Sequence, residues 1–373
     1  MLGACSMEEI PGIAEITEIF TEEERELYPV VYDFLYYYEQ LNEEQKMIYA
    51  CLLESSDAYA HTAEFMHDVE KNDLCIAMEA FRRDHPEVFW TAEYTMYSYG
   101  SEGLVRSVEF SEEGDYEETS KEISSAASAV IETGLSYDNT YDRVKYFYDW
   151  IVDSCTYEEN AENSQNIRSV FLTHASVCSG YAQAFMYLCN EAGIPCTLVK
   201  GTADGGSHAW NAVWINDQAY WVDVTWGDPV FEGDPGIDTE NYNYFMVDDE
   251  ILLRTHTPSS DVNTGDEVLS GVLKYPECSD SSLDYYAVHG ALFTSYDRNE
   301  IRSFIYGYLN EGITENISFR FYDEDTYDTA YDDLFGSEKS IEDIFLDWYM
   351  SSLRYSYSPV DESGVISVSV YPQ

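Results

Sequence analysis

A helix and a hairpin within residues 178–226 constrain the fold of this 373-residue chain more than any other feature. The pattern predicts one helix and three strands, at residues 178–191, 196–200, 208–215 and 219–226. The last two strands are joined by Asn216 and Asp217, residue types that tolerate the left-handed backbone of a tight turn. A helix followed by an antiparallel hairpin indicates an α+β fold.

The hairpin register brings two polar side chains together. A two-residue turn pairs Ile215 with Gln218, and counting back along both strands places His208 opposite Thr225. Asp223 then becomes the diagonal neighbour of His208 on the same sheet face, at a Cβ separation of about 7–8 Å. An imidazole and a carboxylate can bridge that distance. A three-residue turn would change the parity, and a bulge would then be needed to restore it.

Cys178 at the predicted helix start completes a candidate triad. Unpaired backbone N–H groups and the positive end of the helix dipole stabilise a thiolate there. A nucleophile needs a base, and the base needs an orienting group. His208 and Asp223 supply these two roles, and a partly buried Asp223 needs such a partner. His174 is the less favoured alternative for the base.

Two tryptophans are candidate residues of the substrate cleft. Trp210 shares a sheet face with His208, and Trp221 shares one with Asp223. Packing that shields the triad is the favoured role for both side chains, and direct contact with substrate is the alternative.

Three motifs identify a family. They are Val177-Cys178-Ser179-Gly180-Tyr181-Ala182, His208-Ala209-Trp210-Asn211 and Trp221-Val222-Asp223-Val224-Thr225-Trp226-Gly227-Asp228. Together they closely resemble the bacterial transglutaminase-like superfamily, over residues 150–260. The resemblance implies a papain-like core in which Cys178 is the nucleophile, His208 the base and Asp223 the orienting residue.

That resemblance implies acyl transfer from a peptide or protein amide through a thioester, without a cofactor or metal. Hydrolysis, as in a cysteine peptidase or deamidase, is slightly favoured over amine crosslinking, because water is always present and amine selectivity requires a dedicated channel. The alternative is a non-catalytic binding or scaffolding protein at the cell surface. Degenerate members of the superfamily typically lose a triad residue, and here all three are present.

The rest of the chain divides into further regions. Residues 1–21 are predicted to be a tail, 22–135 a mainly helical region with a β-hairpin, 136–260 the catalytic domain and 261–373 a small α+β domain. In the last region, strands are predicted at 285–293, 317–322 and 365–370, with helices at 298–309 and 325–349. We expect both outer regions to frame the cleft, because neither carries an acid–base or metal pattern of its own.

Composition excludes several classes of protein. The formal charge is −54, with 72 acidic and 18 basic residues, so a basic surface for nucleic acid is missing. A hydrophobic content of 45% excludes a disordered acidic chain. No apolar run is long enough to span a membrane. The eight cysteines contain no CxxC pair, which argues against zinc ribbons, and the acidic cluster at 323–328 lacks the glycine of an EF-hand.

The start of the chain bears on location. Leu2-Gly3-Ala4-Cys5 resembles the end of a bacterial lipoprotein signal, in which the cysteine is lipidated. The sequence therefore predicts an extracellular or cell-surface protein with a lipid anchor at Cys5. A cytoplasmic location and the oligomeric state stay open.

Overall fold

The computed structural model describes residues 34–98, 103–228, 241–337, 339–349 and 353–372. The predicted tail and the anchor residue Cys5 lie outside these ranges. Helices and strands are mixed along the described chain, so the predicted α+β class is confirmed. Within the described residues, no helix combines the length and apolar character needed to cross a membrane.

The N-terminal region packs helices against a three-stranded antiparallel sheet of order β1-β3-β2. Its elements are α1 (Glu43–Asp57), β1 (Thr62–Glu70), α2 (Lys71–Asp84), β2 (Tyr94–Tyr97), β3 (Leu104–Phe110) and α3 (Tyr116–Leu135). The helix α1 begins at a capping box, in which Asn42 Oδ1 accepts the Gln45 N–H at 2.9 Å and Gln45 Oε1 accepts the Asn42 N–H at 3.0 Å. The sequence did not predict β1.

The central region is built on a five-stranded antiparallel sheet of order β10-β6-β7-β8-β9. Its elements are α4 (Thr140–Ser154), β4 (Thr156–Tyr157), β5 (Ala175–Ser176), α5 (Cys178–Glu191), β6 (Cys196–Ala203), β7 (Gly206–Ile215), β8 (Gln218–Val222), β9 (Phe245–Val247), α6 (Asp249–Leu252) and β10 (His256–Pro258). The buried Asn211 amide of β7 donates to the Ala182 carbonyl at 3.0 Å, which ties α5 to the sheet.

The C-terminal region carries a four-stranded sheet of order β13-β14-β16-β15. Its elements, with two short strands before them, are β11 (Val262–Asn263), β12 (Val268–Leu269), α7 (Tyr285–Val288), β13 (Leu292–Phe293), α8 (Arg298–Asn310), β14 (Ile317–Phe321), α9 (Glu324–Phe335), α10 (Ser340–Tyr349), β15 (Leu353–Val360) and β16 (Val365–Pro372). The strand predicted at 285–293 is wrong. Asp284 caps a helical turn there by accepting the Tyr286 N–H at 2.7 Å, and only two residues form β13.

Hydrophobic packing joins the first two regions and separates the third. One buried cluster extends from Tyr37 in the N-terminal region to α5 and Leu273. A second covers the other face of the central sheet, and a third, from Tyr286 to Val370, fills the C-terminal region. The domain boundaries at 135/136 and 260/261 stay predictions.

Candidate active site

Cys178 is the first residue of α5, a helix of 14 residues, and its side chain is partly exposed. Gly180 lets this helix start against the preceding chain, because a Cβ atom there would lie 2.1 Å from the Ser176 Oγ. Ser176 is held in turn by a 2.6 Å hydrogen bond between its hydroxyl and that of Ser169. The thiol therefore lies at the positive end of a helix whose start is fixed by packing.

The hairpin of β7 and β8 has the predicted register. Ile215 pairs with Gln218, and the φ angles of Asn216 and Asp217 are 53° and 63°. Two consecutive residues with positive φ are typical of the two-residue turn that matches strand twist. The parity on which the sequence argument depended is confirmed.

The expectation that His208 lies opposite Thr225 is wrong, because β8 ends one residue before Asp223. Asp223 Oδ1 accepts the backbone N–H groups of Thr225 at 2.9 Å and Trp226 at 3.2 Å, and these bonds curl the chain into a short 3₁₀-helix. On its other side, His208 pairs with Gly201 of β6.

His208 and Asp223 nevertheless meet. The distance from His208 Nε2 to Asp223 Oδ2 is 2.7 Å, and the carboxylate is fully buried. Burial alone would raise the pKa of Asp223, but hydrogen bonds and charge from two imidazoles hold this pKa well below its usual range. Asp223 is therefore an ionised carboxylate that fixes the His208 ring.

The second imidazole belongs to His256, which the sequence did not indicate. Its Nε2 lies 3.0 Å from the same Asp223 Oδ2. His256 comes from β10, which pairs with β6 at the sheet edge. Neither strand periodicity nor a motif marked the three residues of β10, so only the long-range pairing of β10 with β6 could have revealed this contact.

Cys178 also acts on the His208 ring through its sulfur. Burial alone would lower the pKa of His208, but the Asp223 carboxylate and the Cys178 sulfur raise this pKa to about 10. Since Nε2 faces Asp223, the other ring nitrogen, Nδ1, stays available to Cys178. The structure thus brings the three predicted triad residues together.

Tyr157 is another residue that sequence reasoning left out of the site. It lies on β4 and pairs with Ser176, two residues before Cys178. Burial raises the pKa of the Tyr157 phenol, and so do the Cys178 sulfur and the carboxylates of Glu159 and Asp223. A partly exposed phenol therefore lies within electrostatic reach of the nucleophile and the carboxylate.

The proposed cleft residues Trp210 and Trp221 do not line a cleft. Both indoles are fully buried. Trp210 stacks behind His208, with ring centroids 5.9 Å apart, and Trp221 Nε1 donates to Asp249 Oδ1 at 2.7 Å. Both indoles therefore serve packing, which is the role that the sequence favours for them. Trp226 is partly exposed, with its ring centroid 5.8 Å from that of His208, so of these three tryptophans it is the one that reaches the surface beside the triad.

His174, the less favoured candidate for the base, is exposed, and its backbone φ angle is 57°. Its carbonyl accepts the Thr156 N–H at 3.0 Å, so its backbone supports the strand pair that leads to Cys178. The seven described cysteines are unbridged, and five of them, including Cys189 and Cys196, are buried.

Three side chains of the site are of types that bind metal ions: His208, Asp223 and His256. Their donor atoms lie within 4.8 Å of one another. Both imidazole Nε2 atoms, however, point at one carboxylate oxygen at hydrogen-bonding distance, which requires a proton on each nitrogen. The donor set is thus used for hydrogen bonds rather than arranged around a central ion.

A cavity of about 140 Å³ lies beside the first turn of α5. Ser179 and Gln183 of α5 line one side, and Arg82 of α2 and Lys200 of β6 line others. The N-terminal and central regions therefore share the wall of a cavity that includes Ser179, the residue after Cys178 in the sequence.

Parts of this chain are similar to known proteins. The model of the transglutaminase-like superfamily matches residues 127–226, which contain all three triad residues. Kyphoscoliosis peptidase of Mus musculus is 25% identical over 164 residues, a match that covers 36% of this chain and 25% of that protein. The Homo sapiens protein of the same name is 27% identical over 138 residues, covering 32% of this chain and 21% of that protein.

A crystal structure of a TGase is similar with 16% identity and a TM-score of 0.27, covering 46% of this chain and 51% of that one. The chain spans about a quarter of the length of the curated relatives it matches. The predicted resemblance to the transglutaminase-like superfamily is confirmed for residues 127–226, whereas a bacterial origin stays a prediction.

Proposed function

We propose that this chain, whose residues 127–226 match the transglutaminase-like superfamily, is a cysteine-nucleophile enzyme that hydrolyses peptide or protein amides. The observation that carries the proposal is the 2.7 Å contact of His208 with the buried Asp223, together with the influence of the Cys178 sulfur on the same imidazole. A thiol, an imidazole and a carboxylate in that order form the minimal machinery of acyl transfer through a thioester.

In the first half of the reaction, His208 is protonated and Cys178 is the thiolate. The sulfur attacks the amide carbonyl carbon and forms a C–S bond, and the backbone N–H of Cys178 contributes to stabilising the oxyanion. The tetrahedral intermediate collapses when the C–N bond breaks. His208 donates its Nδ1 proton to the leaving amine, so a neutral amine and a thioester remain.

In the second half, neutral His208 takes a proton from water through Nδ1. The resulting hydroxide attacks the thioester carbonyl, the C–S bond breaks, and the carboxylic product leaves. The proton on His208 then pairs with the Cys178 thiolate again, which restores the starting state. Asp223 keeps the proton on Nε2 throughout and thereby reserves Nδ1 for both transfers.

Water is proposed as the acyl acceptor over an amine for two reasons. Water reaches the partly exposed Cys178 without a dedicated channel, and the curated relatives carry the name peptidase. We also propose that the N-terminal region selects substrate, because Arg82 and the α5 residue Ser179 line one cavity. An extracellular or cell-surface location, with Cys5 as lipid anchor, remains part of the proposal.

The test is mass spectrometry of a peptide library incubated with the protein, with and without added methylamine. Hydrolysis predicts backbone cleavage or exchange of ammonia for water, whereas crosslinking predicts methylamine adducts. The Cys178→Ala and His208→Ala variants are the controls, and both should abolish the products. Products that persist in Cys178→Ala, or no products from the wild type, would contradict the proposal and favour a non-catalytic binding module.

A further inference from the structure

The Asp223 carboxylate has four hydrogen-bond donors and no contact with solvent. Oδ1 accepts the N–H groups of Thr225 and Trp226, and Oδ2 accepts from the Nε2 atoms of His208 at 2.7 Å and His256 at 3.0 Å. A carboxylate offers about four acceptor positions. His256 therefore supplies one quarter of the donors that compensate this buried charge, and it shares a single oxygen with His208.

His256 is itself held from all sides. The residue is 1% exposed. Its ring centroid lies 4.6 Å from that of Trp226, 4.9 Å from Trp210 and 5.1 Å from Tyr244. Its second nitrogen, Nδ1, lies 2.8 Å from the Thr255 Oγ1. Such packing leaves the ring one orientation, with Nε2 on Asp223.

His256 donates to Asp223 through Nε2, because a carboxylate oxygen can only accept. The Thr255 hydroxyl that lies against Nδ1 also donates to the Tyr244 hydroxyl at 3.1 Å. Both ring nitrogens of His256 therefore have polar partners.

We propose that His256 is a positioning residue that holds Asp223 Oδ2 in place and divides that oxygen between two imidazoles. The role rests on the proposed function, since it acts through Asp223 on His208. With His256 present, Asp223 orients His208 while the His256 N–H compensates part of the carboxylate charge. Without that donor the full charge of Oδ2 acts on His208, which then releases its proton less readily to a leaving amine.

Other titratable groups face the same pair. Cys178 acts electrostatically on His208, and Tyr157 and Asp223 act on each other. Tyr244 lies against the His256 ring. Substitutions at position 256 leave Cys178, Tyr157 and Tyr244 unchanged. A change in the titration of His208 in such variants therefore reports on the shared carboxylate.

The test compares His256→Phe, which fills the site without a donor, with His256→Gln, whose side-chain N–H reaches the position of Nε2. NMR of ¹³C-labelled histidine gives the titration midpoint of His208, with the exposed His289 as internal reference. We expect the midpoint to rise by at least about half a pH unit in His256→Phe and to stay at the wild-type value in His256→Gln. One of two downfield imidazole N–H resonances should also be lost in His256→Phe.

Equal midpoints in the wild type and His256→Phe, or equal shifts in the Phe and Gln variants, would overturn the proposal, since the ring would then act by packing alone. If His256→Phe does not fold, His256→Asn replaces it, because the shorter amide leaves Oδ2 without its donor. Alkylation of Cys178 by iodoacetamide is followed in the same samples. A wild-type Cys178 that reacts slowly contradicts the proposed function but leaves the NMR result on His256 readable.

Discussion

Two buried carboxylates, one in the central region and one in the C-terminal region, are compensated by different partners. Asp223 is fully buried and bonds to the imidazoles of His208 and His256, while Asp284, 1% exposed, is paired with the Arg320 guanidinium. An imidazole can release its proton near neutral pH when its environment permits, whereas a guanidinium keeps its charge. Only the first carboxylate is therefore placed to support proton transfer.

The Asp284–Arg320 pair is an anchor between regions. Arg320 also donates to the Asn243 carbonyl, which precedes β9 of the central sheet, and its guanidinium lies 4.8 Å from the Tyr286 ring centroid. The Tyr286 hydroxyl donates to Asn243 Oδ1 at 2.8 Å. A guanidinium suits this role, because it keeps its charge over the whole physiological pH range.

The largest expected effect is on catalysis. In Asp223→Asn, the amide NH₂ group can face His208 and force the proton onto Nδ1, so the ring no longer accepts a proton from Cys178 or water. We expect amide hydrolysis to fall about a thousandfold, with the folded structure retained by circular dichroism. A loss of less than about tenfold would remove Asp223 from the mechanism.

The corresponding change in the C-terminal region should affect stability instead. Arg320→Met leaves Asp284 buried without a counter-ion, and we expect the free energy of unfolding to fall by about 3–5 kcal/mol. Activity per folded molecule should be retained. The double variant Arg320→Met/Asp284→Leu is the matched control, since removing both charges should restore much of the stability. Urea denaturation measures the free energy of unfolding of all three proteins. An Arg320→Met variant as stable as the wild type would contradict the role of this pair as an anchor.

Substitution of one glycine in α5 and one in α8 compares the packing of a helix in the central region with that of a helix in the C-terminal region. In Gly180→Ala the new Cβ meets the Ser176 Oγ at 2.1 Å, and we expect a loss of about 1–3 kcal/mol together with a displaced Cys178. Gly307 of α8 has open space around its missing Cβ, so Gly307→Ala should gain about 0.5–1 kcal/mol from helix propensity. Thermal unfolding distinguishes the two, and equal effects would mean that α5 is not fixed by Gly180.

The last expected effect is the dependence of stability on pH. The pKa of His208 is raised in the folded state to about 10, above the unfolded value of about 6.5. Its contribution is therefore complete below about pH 6.5 and is lost as the pH rises through 10. The stability difference between the wild type and His208→Gln should shrink from pH 7 to pH 10.5, whereas the difference between the wild type and Arg320→Met should stay constant. Parallel curves for both variants would contradict the assigned partners.

Local signals in the sequence were sufficient for much of the site. The turn at Asn216 and Asp217 set the hairpin parity, and that parity brings His208 to Asp223. The helical pattern predicted the start of α5 at Cys178. These features depend on neighbouring residues, so they can be read from short windows.

Features that depend on distant chain segments were missed. His256 reaches Asp223 only because β10 pairs with β6, about 55 residues earlier in the chain. The segment at 285–293 has apolar residues that suit a strand, yet Asp284 pairs with Arg320 and caps a helical turn. Trp210 and Trp221 lie on strands that the sequence predicts, but the depth of their burial depends on packing beyond the hairpin.

Alkylation of the cysteines by iodoacetamide at neutral pH, mapped by peptide mass spectrometry, tests the central claim most directly. Cys51 is an internal control, because it is also partly exposed and burial together with the Glu54 charge raises the pKa of its thiol. The linked triad predicts that Cys178 reacts faster than Cys51 and faster than a model thiol, and that His208→Ala removes this advantage. A Cys178 no faster than the model thiol, or unaffected by His208→Ala, would contradict an activated nucleophile.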